Sequence, residues 1–415
     1  MAATGQDQQS TKNGSRRHTA LVVSVTTTVQ ALATMCTLVP AAIAPELARA
    51  FEVPASWIGF QVSLTYLGAL AMSLVVGQFV LRLGALRTSQ GALALSGIGL
   101  ALAATSSSSM IGFAIGSVLV GFGYGLTNPA AAHLLMRITK PNNRNFIFSL
   151  KQSGVPLGAV MAGLAAPSLT LMFGWQAAFL ICAAVPMGMM IVLQPLRRSW
   201  DWDRDPSVRL RQSPIADLRM ILRHPILRWF SLAAFCFSAV QVSLSTFAVT
   251  MLVKDLSFGL VEAGIVLSAL QVAGGSGRII WGGVADWFGA GDRVLVGLGL
   301  IAAAAGVMTM FLAPGTSVVI IYGALLLFGF SAIGWNGVFL AEVAHLAPKG
   351  QIGNATAGAL VPSYAGVLFG PMTFSGLYML TGQYTAAFGM FAVFSVAGAA
   401  LMLIASVKAQ GLRRS

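Results

Sequence analysis

Apolar runs of about twenty residues, each long enough to cross the hydrocarbon core of a bilayer, recur along the whole chain. They can be drawn near residues 20–45, 57–80, 88–106, 109–134, 146–170, 175–195, 226–252, 260–284, 294–313, 316–341, 352–379 and 384–407. Short breaks such as TSSSS (105–109) and FGW (173–175) separate them, and one long polar stretch, 197–225, divides them six and six. Only 9% of the residues are charged and 56% are hydrophobic, against roughly 25% charged in a soluble domain, so water cannot be the solvent for most of this surface. The pattern predicts an all-α integral membrane protein of twelve transmembrane helices. Its parts would be a tail (1–19), a first six-helix bundle (20–195), a central loop (196–225), a second bundle (226–407) and a second tail (408–415).

The net charge of +13 has a topological reading. If both termini are cytosolic, only Arg49 and Lys254 of the 25 Lys and Arg fall at external positions, as expected when cytosolic loops retain basic residues. A multi-pass protein, of a bacterial inner membrane with both termini inside, is the expectation, and nucleic acid is not an expected partner. The N-terminal MAATGQDQQSTKNGSRRHTA is polar and too long for the n-region of a cleaved signal, which predicts a flexible cytosolic tail. Cys36, Cys182 and Cys236 fall inside apolar runs with no metal spacing, so no cofactor is expected.

The two groups of six repeat one another. WIGFQVSLTYLGALAMSLVVGQFVLRLG (57–84) lies over EAGIVLSALQVAGGSGRIIWGGVADWFG (262–289) at a constant offset of 205, so Gly59, Gly77 and Gly84 match Gly264, Gly282 and Gly289. GFGYGLTN (121–128) lies over GFSAIGWN (329–336) at offset 208, matching Asn128 to Asn336. Two pseudo-symmetric six-helix bundles, related by an axis along the membrane normal, are implied.

These residues resemble the major facilitator superfamily, over nearly the whole chain. That family's loop signature, G-x-x-x-D-[RK]-x-G with basic residues after it, joins the second and third helices of each half. The second half keeps Gly282, Asp286 and Gly289 in GGVADWFG, with Arg293 downstream; the first keeps Gly77, Arg82, Gly84 and Arg87 but has Leu81 where the acid belongs. The resemblance implies alternating access by rocking bundles and a cytosolic latch formed in the outward-open state. Asp286 would then carry more of that latch than the first-half loop does.

Charge inside the membrane is the next constraint. Arg278 stands in GGSGRIIWGGVADWFG (274–289), four residues before Gly282 and about 6 Å of helix inside the cytosolic end. A mid-membrane arginine costs about 2.5–3.5 kcal/mol on insertion scales, so it generally faces a cavity. It could also snorkel to the interface or pair with Asp286. A guanidinium fork suits carboxylate oxygens. The R-x-x-x-G placement resembles monocarboxylate and oxalate–formate carriers, where an arginine of the eighth helix contacts the substrate carboxylate. Their second cation, a lysine of the first or eleventh helix, is missing here. Lys151, in FIFSLKQSGVPLG, sits about one and a half turns into the fifth helix, where it either snorkels or supplies a second cation from the other half.

All twelve acids can be placed at membrane edges or in water, so the buried carboxylate used by exporters of cationic drugs has no strong candidate. Polar side chains recur inside helices at Gln30, Gln61, Asn128, Gln241, Gln271, Asn336, Asn354, Tyr66, Trp335 and Tyr364, either as interhelical bonds or as substrate contacts. Gln30 and Gln241 are the better candidates for contact, because the first and seventh helices line the cavity in the family. Abundant glycine reads mainly as close helix packing, and GSGR without a Walker pattern is no phosphate loop. The histidines are scattered, with His133 alone inside a helix, and no catalytic motif appears. In the central loop, SPIADLRMILRHP (213–225) could lie as an amphipathic helix on anionic lipid, or the loop could simply tether the halves.

The expectation is therefore a secondary transporter and not an enzyme, moving a small organic anion, as two cations and no acid favour, with a carboxylate the class that suits the guanidinium. Arg278 and Lys151 are the expected anchors, with Gln30, Gln241, Asn128, Asn336, Tyr66 and Tyr364 around them. Transport would be proton-linked symport or anion exchange. Export of amphipathic drugs is the alternative, with Arg278 then structural.

Overall fold

The computed structural model describes residues 3–73, 75–106, 109–139, 144–207, 219, 221–347 and 352–414. The described residues form helices and connections. In the first half these are α1 (Ala3–Ala42), α2 (Ala44–Ala50), α3 (Ile58–Ser73), α4 (Val76–Leu83), α5 (Ala85–Thr105), α6 (Met110–Ile138), α7 (Arg144–Gln152), α8 (Gly154–Phe173), α9 (Trp175–Val192) and the short α10 (Arg197–Trp200). The second half holds α11 (Leu227–Lys254), α12 (Leu260–Phe288), α13 (Gly291–Thr309), α14 (Val318–Ala332), α15 (Asn336–Leu346), α16 (Ile352–Thr381) and α17 (Tyr384–Arg414). Twelve crossings result, because α3 with α4, α7 with α8, and α14 with α15 each make one broken span. Among the described residues, 9 helices pass as membrane spans on length and hydropathy alone. The broken second span and the Gly-, Ser- and Thr-rich α5 and α16 make up the rest.

Two local outcomes differ from expectation. Residues 3–19, expected as a flexible tail, continue helically into the first span; no proline interrupts them before Pro40. The eighth span does not stop near Gly282 but runs to Phe288, where Gly289 at φ 59 closes it with its N–H on Ala285 and Asp286 oxygens. The amphipathic helix expected over 213–225 lies mostly outside the described residues.

The first span of each half is the enclosed one: α1 and α11 each have 83% of their apolar window buried. Large side chains left exposed, such as Met172, Val319 and Leu380, sit on outward helix faces, as a lipid-facing surface requires. The halves meet along the end of the bundle away from the chain termini. There the Ser63 hydroxyl donates to Leu368 O at 2.6 Å and the Ser375 hydroxyl to Ser56 O at 2.7 Å, joining α3 to α16. Ser268 of α12 donates to Val160 O of α8 at 3.3 Å. Glycine makes this contact possible, since a Cβ on Gly264 would lie 2.1 Å from Gly163 O and one on Gly59 2.2 Å from Ser375 Oγ. Toward the terminal end the last such approaches are Pro156 beside Gly275 and Arg278 against Gln152. Beyond them Gly282, Gly283 and Gly289 have open space where a Cβ would stand. Among the described residues, the tight contacts between the halves thus gather at the end away from the termini.

Candidate functional site

The repeat places one pair of amides in each half. Gln30 of α1 and Gln241 of α11 both point at the fourth span of their own half, and they are satisfied differently. The Gln30 Oε1 accepts from the Thr127 hydroxyl at 3.0 Å and from Lys151 Nζ at 2.8 Å. The Gln241 Oε1 accepts from Trp335 Nε1 at 3.0 Å and Asn336 Nδ2 at 3.3 Å. Asn336 opens α15 directly after the break in the tenth span, whereas Asn128 lies inside a continuous α6 one residue before Pro129.

Lys151 does not snorkel. It lies on the last turn of α7, is 3% exposed, and its Nζ donates to Gln30 Oε1, to Asn128 Oδ1 and, at 3.3 Å, to Gln152 Oε1. Three amide oxygens therefore occupy the three donors of the ammonium. The break at Ser153, between α7 and α8, is what lets the Lys151 turn face inward while α8 continues toward the far end.

Arg278 also turns inward. It stands eighteen residues past Leu260 in α12, about 27 Å along the helix, and about 15 Å short of its end. The helix continues beyond Gly282, so Arg278 stands farther from the helix end than the sequence suggested. Its Nε donates to Ile333 O at 3.2 Å, a carbonyl freed by the break between α14 and α15, and one Nη1 proton reaches Gln152 O at 3.5 Å. Neither contact engages Nη2. Asp286, the alternative partner, is exposed on the terminal end of the same helix, and no described contact joins the two.

Three phenols complete the surroundings. Tyr66 and Tyr124 meet edge to face at 5.7 Å between ring centres. Tyr124 lies near Thr34 and within electrostatic reach of Arg278 and Tyr364, and Tyr364 lies near Asn128. Tyr66, Tyr124, Tyr364, Asn128, Arg278, Gln241 and Asn336 all keep partial exposure although they stand midway along the spans and come from both halves. Side chains so placed line an internal space. Gln30, Asn128 and Lys151 are in direct contact, Tyr364 lies beside Asn128, Arg278 and Tyr66 approach this group through Gln152 and Tyr124, and Gln241 and Asn336 form a separate pair in the second half. Tyr124 and Gln152 were missed; Tyr124 lies one helical turn before Asn128, which was the available signal.

The expected gating residues gather at the terminal end. Gly84, at φ 99, joins α4 to α5, and the Asp201 carboxylate accepts the N–H groups of Leu86 at 2.7 Å and Arg87 at 3.0 Å. A Cβ on Gly84 would lie 2.2 Å from Asp201 Cγ. Burial pushes the Asp201 carboxyl up, and those two N–H groups oppose the shift. Nearby, the Asp205 N–H donates to Leu81 O at 2.8 Å. Asp203 receives His133 Nε2 at 2.7 Å and Arg137 Nη1 at 3.0 Å, which gives His133 a place in an ion cluster instead of the transport path. The first-half loop lacks its own acid at Leu81, and the segment after the sixth span supplies three. Gly77 lies within α4, Arg87 donates to its neighbour Gln90 at 3.2 Å, and Asp286, Gly282 and Gly289 face open space. An apolar recess of about 200 Å³ at the far end, lined by Phe51, Trp57, Phe60, Gln61 and Phe113, holds none of the charged candidates.

Comparison with known proteins agrees with this architecture. The sequence model of the Major Facilitator Superfamily matches residues 25–371. The 3-(3-hydroxy-phenyl)propionate transporter of Escherichia coli (strain K12) is 27% identical over 248 residues, which are 58% of this chain and 58% of that protein. The similarity therefore spans little more than half the relative's length. Among solved structures, a bacterial homolog of the human lysosomal transporter Spinster, inward-facing and occupied, superimposes with a TM-score of 0.71 at 16% identity, covering 94% of this chain and 95% of that one. Its inward-facing, unoccupied form gives 0.70 at 17% identity over the same shares.

Proposed function

Because the chain belongs to the major facilitator superfamily and is a multi-pass membrane transporter, we propose that it carries a small organic acid as its anion, with Arg278 as the carboxylate anchor. The observation that supports this most is the position of Arg278: well inside α12, turned inward, with no bond to Nη2 among the described residues and the phenols of Tyr66, Tyr124 and Tyr364 nearby. A planar guanidinium edge beside aromatic rings suits a carboxylate carried on an aromatic or other apolar body. The relative's printed substrate, a hydroxyphenylpropionate, is of that kind. Lys151 stands close by, but its three donors are already taken, so its role is to hold positive charge and order α1 and α6 more than to grip the ligand. Gln241, Asn336 and Asn128 offer the polar rim. The tight contacts between the halves lie away from the end that carries both termini and most of the basic loops, which supports an inward-open form in a bacterial inner membrane with cytosolic termini.

A second reading has its own observation. The Arg278 bond to Ile333 O could be the whole purpose of the arginine, as a pin across the broken tenth span, in a carrier of neutral amphipathic molecules. Thermal stability against a panel of aromatic and aliphatic carboxylates, neutral solutes and lipophilic cations separates the two. Stabilisation by carboxylates in the wild type and not in Arg278→Gln supports the anion reading. Equal responses of both proteins, to lipophilic compounds only, would sink it.

A further inference from the structure

We propose that the apolar recess at the far end of the first half is a second binding site, for a neutral aromatic molecule that carries one hydroxyl group.

The recess is built where α2, the start of α3 and the start of α6 converge, and Phe51, Trp57, Phe60 and Phe113 give it aromatic walls. Those walls are held from behind. The Phe51 ring centre lies 5.3 Å from that of Phe113 and 5.6 Å from that of Trp175, and Phe113 lies 6.2 Å from the fully buried Phe179. Trp57 and Phe60 pair at 5.9 Å. The volume of about 200 Å³ is room for a single ring with a small substituent, since an apolar cavity of about 150 Å³ accepts benzene.

Gln61 sets the chemistry. It lines the recess, is 9% exposed, and its Nε2 donates to the Ser117 hydroxyl at 2.9 Å and the Thr65 hydroxyl at 3.2 Å. Both hydroxyls direct their own protons to backbone oxygens, Ser117 to Phe113 O and Thr65 to Gln61 O. The amide must therefore present N–H to them, which uses both Nε2 protons and leaves Oε1 as its free atom. That oxygen finds no donor among the described residues. A buried acceptor without a donor is destabilising, and a ligand hydroxyl relieves it.

No charged side chain lines the recess, so a carboxylate or an ammonium would lose its water there and gain no partner. A lipid acyl chain matches the walls but brings no donor for Gln61. An ether or a ketone brings only a second acceptor. A phenol or a benzyl alcohol meets both demands, with its ring among the aromatic walls and its O–H donating to Oε1.

The site is separate from the transport path, since neither Arg278, Lys151 nor the amides and phenols around them line it. It adjoins the contact between the halves instead. Trp57, Phe60 and Gln61 alternate along the chain with Ser56, Gly59 and Ser63, which meet Ser375 and Leu368 of α16. One face of this segment holds the second half while the next face forms the recess.

The test uses the full-length protein in detergent, with 3-(trifluoromethyl)phenol as a fluorine NMR probe. A saturable bound resonance, distinct from that of the probe in micelles, is expected in the wild type and in Arg278→Gln. At equal free concentration, 3-methylphenol should displace it about tenfold more effectively than 1,3-dimethylbenzene or 3-methylanisole, which carry no donor. Gln61→Leu should level the three competitors, and Ala114→Phe should abolish the resonance by filling the recess. A wild type with no saturable resonance overturns the proposal even if neither variant folds. So does a resonance that survives Ala114→Phe, or one that all three competitors displace alike in the wild type. Stronger displacement by dihexanoylphosphatidylcholine than by 3-methylphenol would make the recess an acyl-chain pocket and also overturns it. A resonance lost in Arg278→Gln would put the phenol in the central site, which sinks this second site and leaves the carboxylate reading standing.

Discussion

Arg278 of α12 donates to the backbone oxygen of Gln152 at 3.5 Å, and Gln152 is the residue that follows Lys151. A single residue at the break in the fifth span therefore contacts both cations, one through its backbone oxygen and one through its side chain, and links the two halves. Loss of Arg278 is felt on both sides of that residue. Arg278→Gln should weaken carboxylate affinity about 10- to 100-fold, the equivalent of one charged hydrogen bond. Arg278→Lys should recover only part of it, because an ammonium lacks the planar fork. Titration calorimetry on the two variants checks this.

The far-end closure rests on the absence of a side chain at Gly264, whose Cβ would stand 2.1 Å from Gly163 O. Gly264→Leu should prop α8 and α12 apart and bias the protein toward opening at that end. A cysteine placed at Ser375, which in the wild type donates to Ser56 O, should then react faster with a membrane-impermeant thiol reagent added from that side. Equal reactivity in both backgrounds would show that the glycine contact is not the closure. Cys36, Cys182 and Cys236 are buried and give little background.

Asp201 caps a helix to which it does not belong. Asp201→Ala should cost about 0.5–2 kcal/mol of stability, the range for losing a cap, since Leu86 and Arg87 would keep bare N–H groups. Gly84→Ala should cost at least as much, because its φ of 99 strains any L side chain and the new Cβ meets Asp201. Thermal unfolding in detergent measures both. The double variant should fall short of the sum, because the sites touch.

His224 supplies a pH dependence of definite sign. Its Nδ1 accepts from the N–H groups of Ile226 at 3.3 Å and Leu227 at 3.1 Å, at the start of α11, and burial pushes the imidazole below its usual 6.5. Below pH 6.5 the unfolded chain binds the proton more readily than the folded one, so stability falls as pH drops through that value. His224→Asn should keep a cap and flatten the fall between pH 7.5 and about 5, as read from melting temperatures.

Much of the fold was legible because a bilayer demands long apolar runs. The repeat at offsets of 205 and 208 located Asn128, Asn336 and the matched glycines. What the sequence concealed are the breaks. A freed carbonyl such as that of Ile333 is satisfied by Arg278, 55 residues away, so neither the break nor its partner shows in local hydropathy. The end of α12 was placed too early for a related reason: Gly282 reads as a boundary, yet the helix continues through it to Phe288. The lysine was harder still, since its three partners come from three places in the chain and only their meeting distinguishes a held ammonium from a snorkelling one. The acid absent at Leu81 drew attention to the first-half loop. Nothing in that loop indicated that Asp201, more than a hundred residues on, caps the helix that follows.

The two halves are copies, but their cations are not. Arg278 matches Ser73 at the offset of 205, and Lys151 falls over Ala359 at 208. A chain rebuilt from two first halves would hold two lysines among amides and no guanidinium; one rebuilt from two second halves would hold two guanidiniums and no ammonium. Both cation chemistries meet in one molecule only because the halves differ at these two positions.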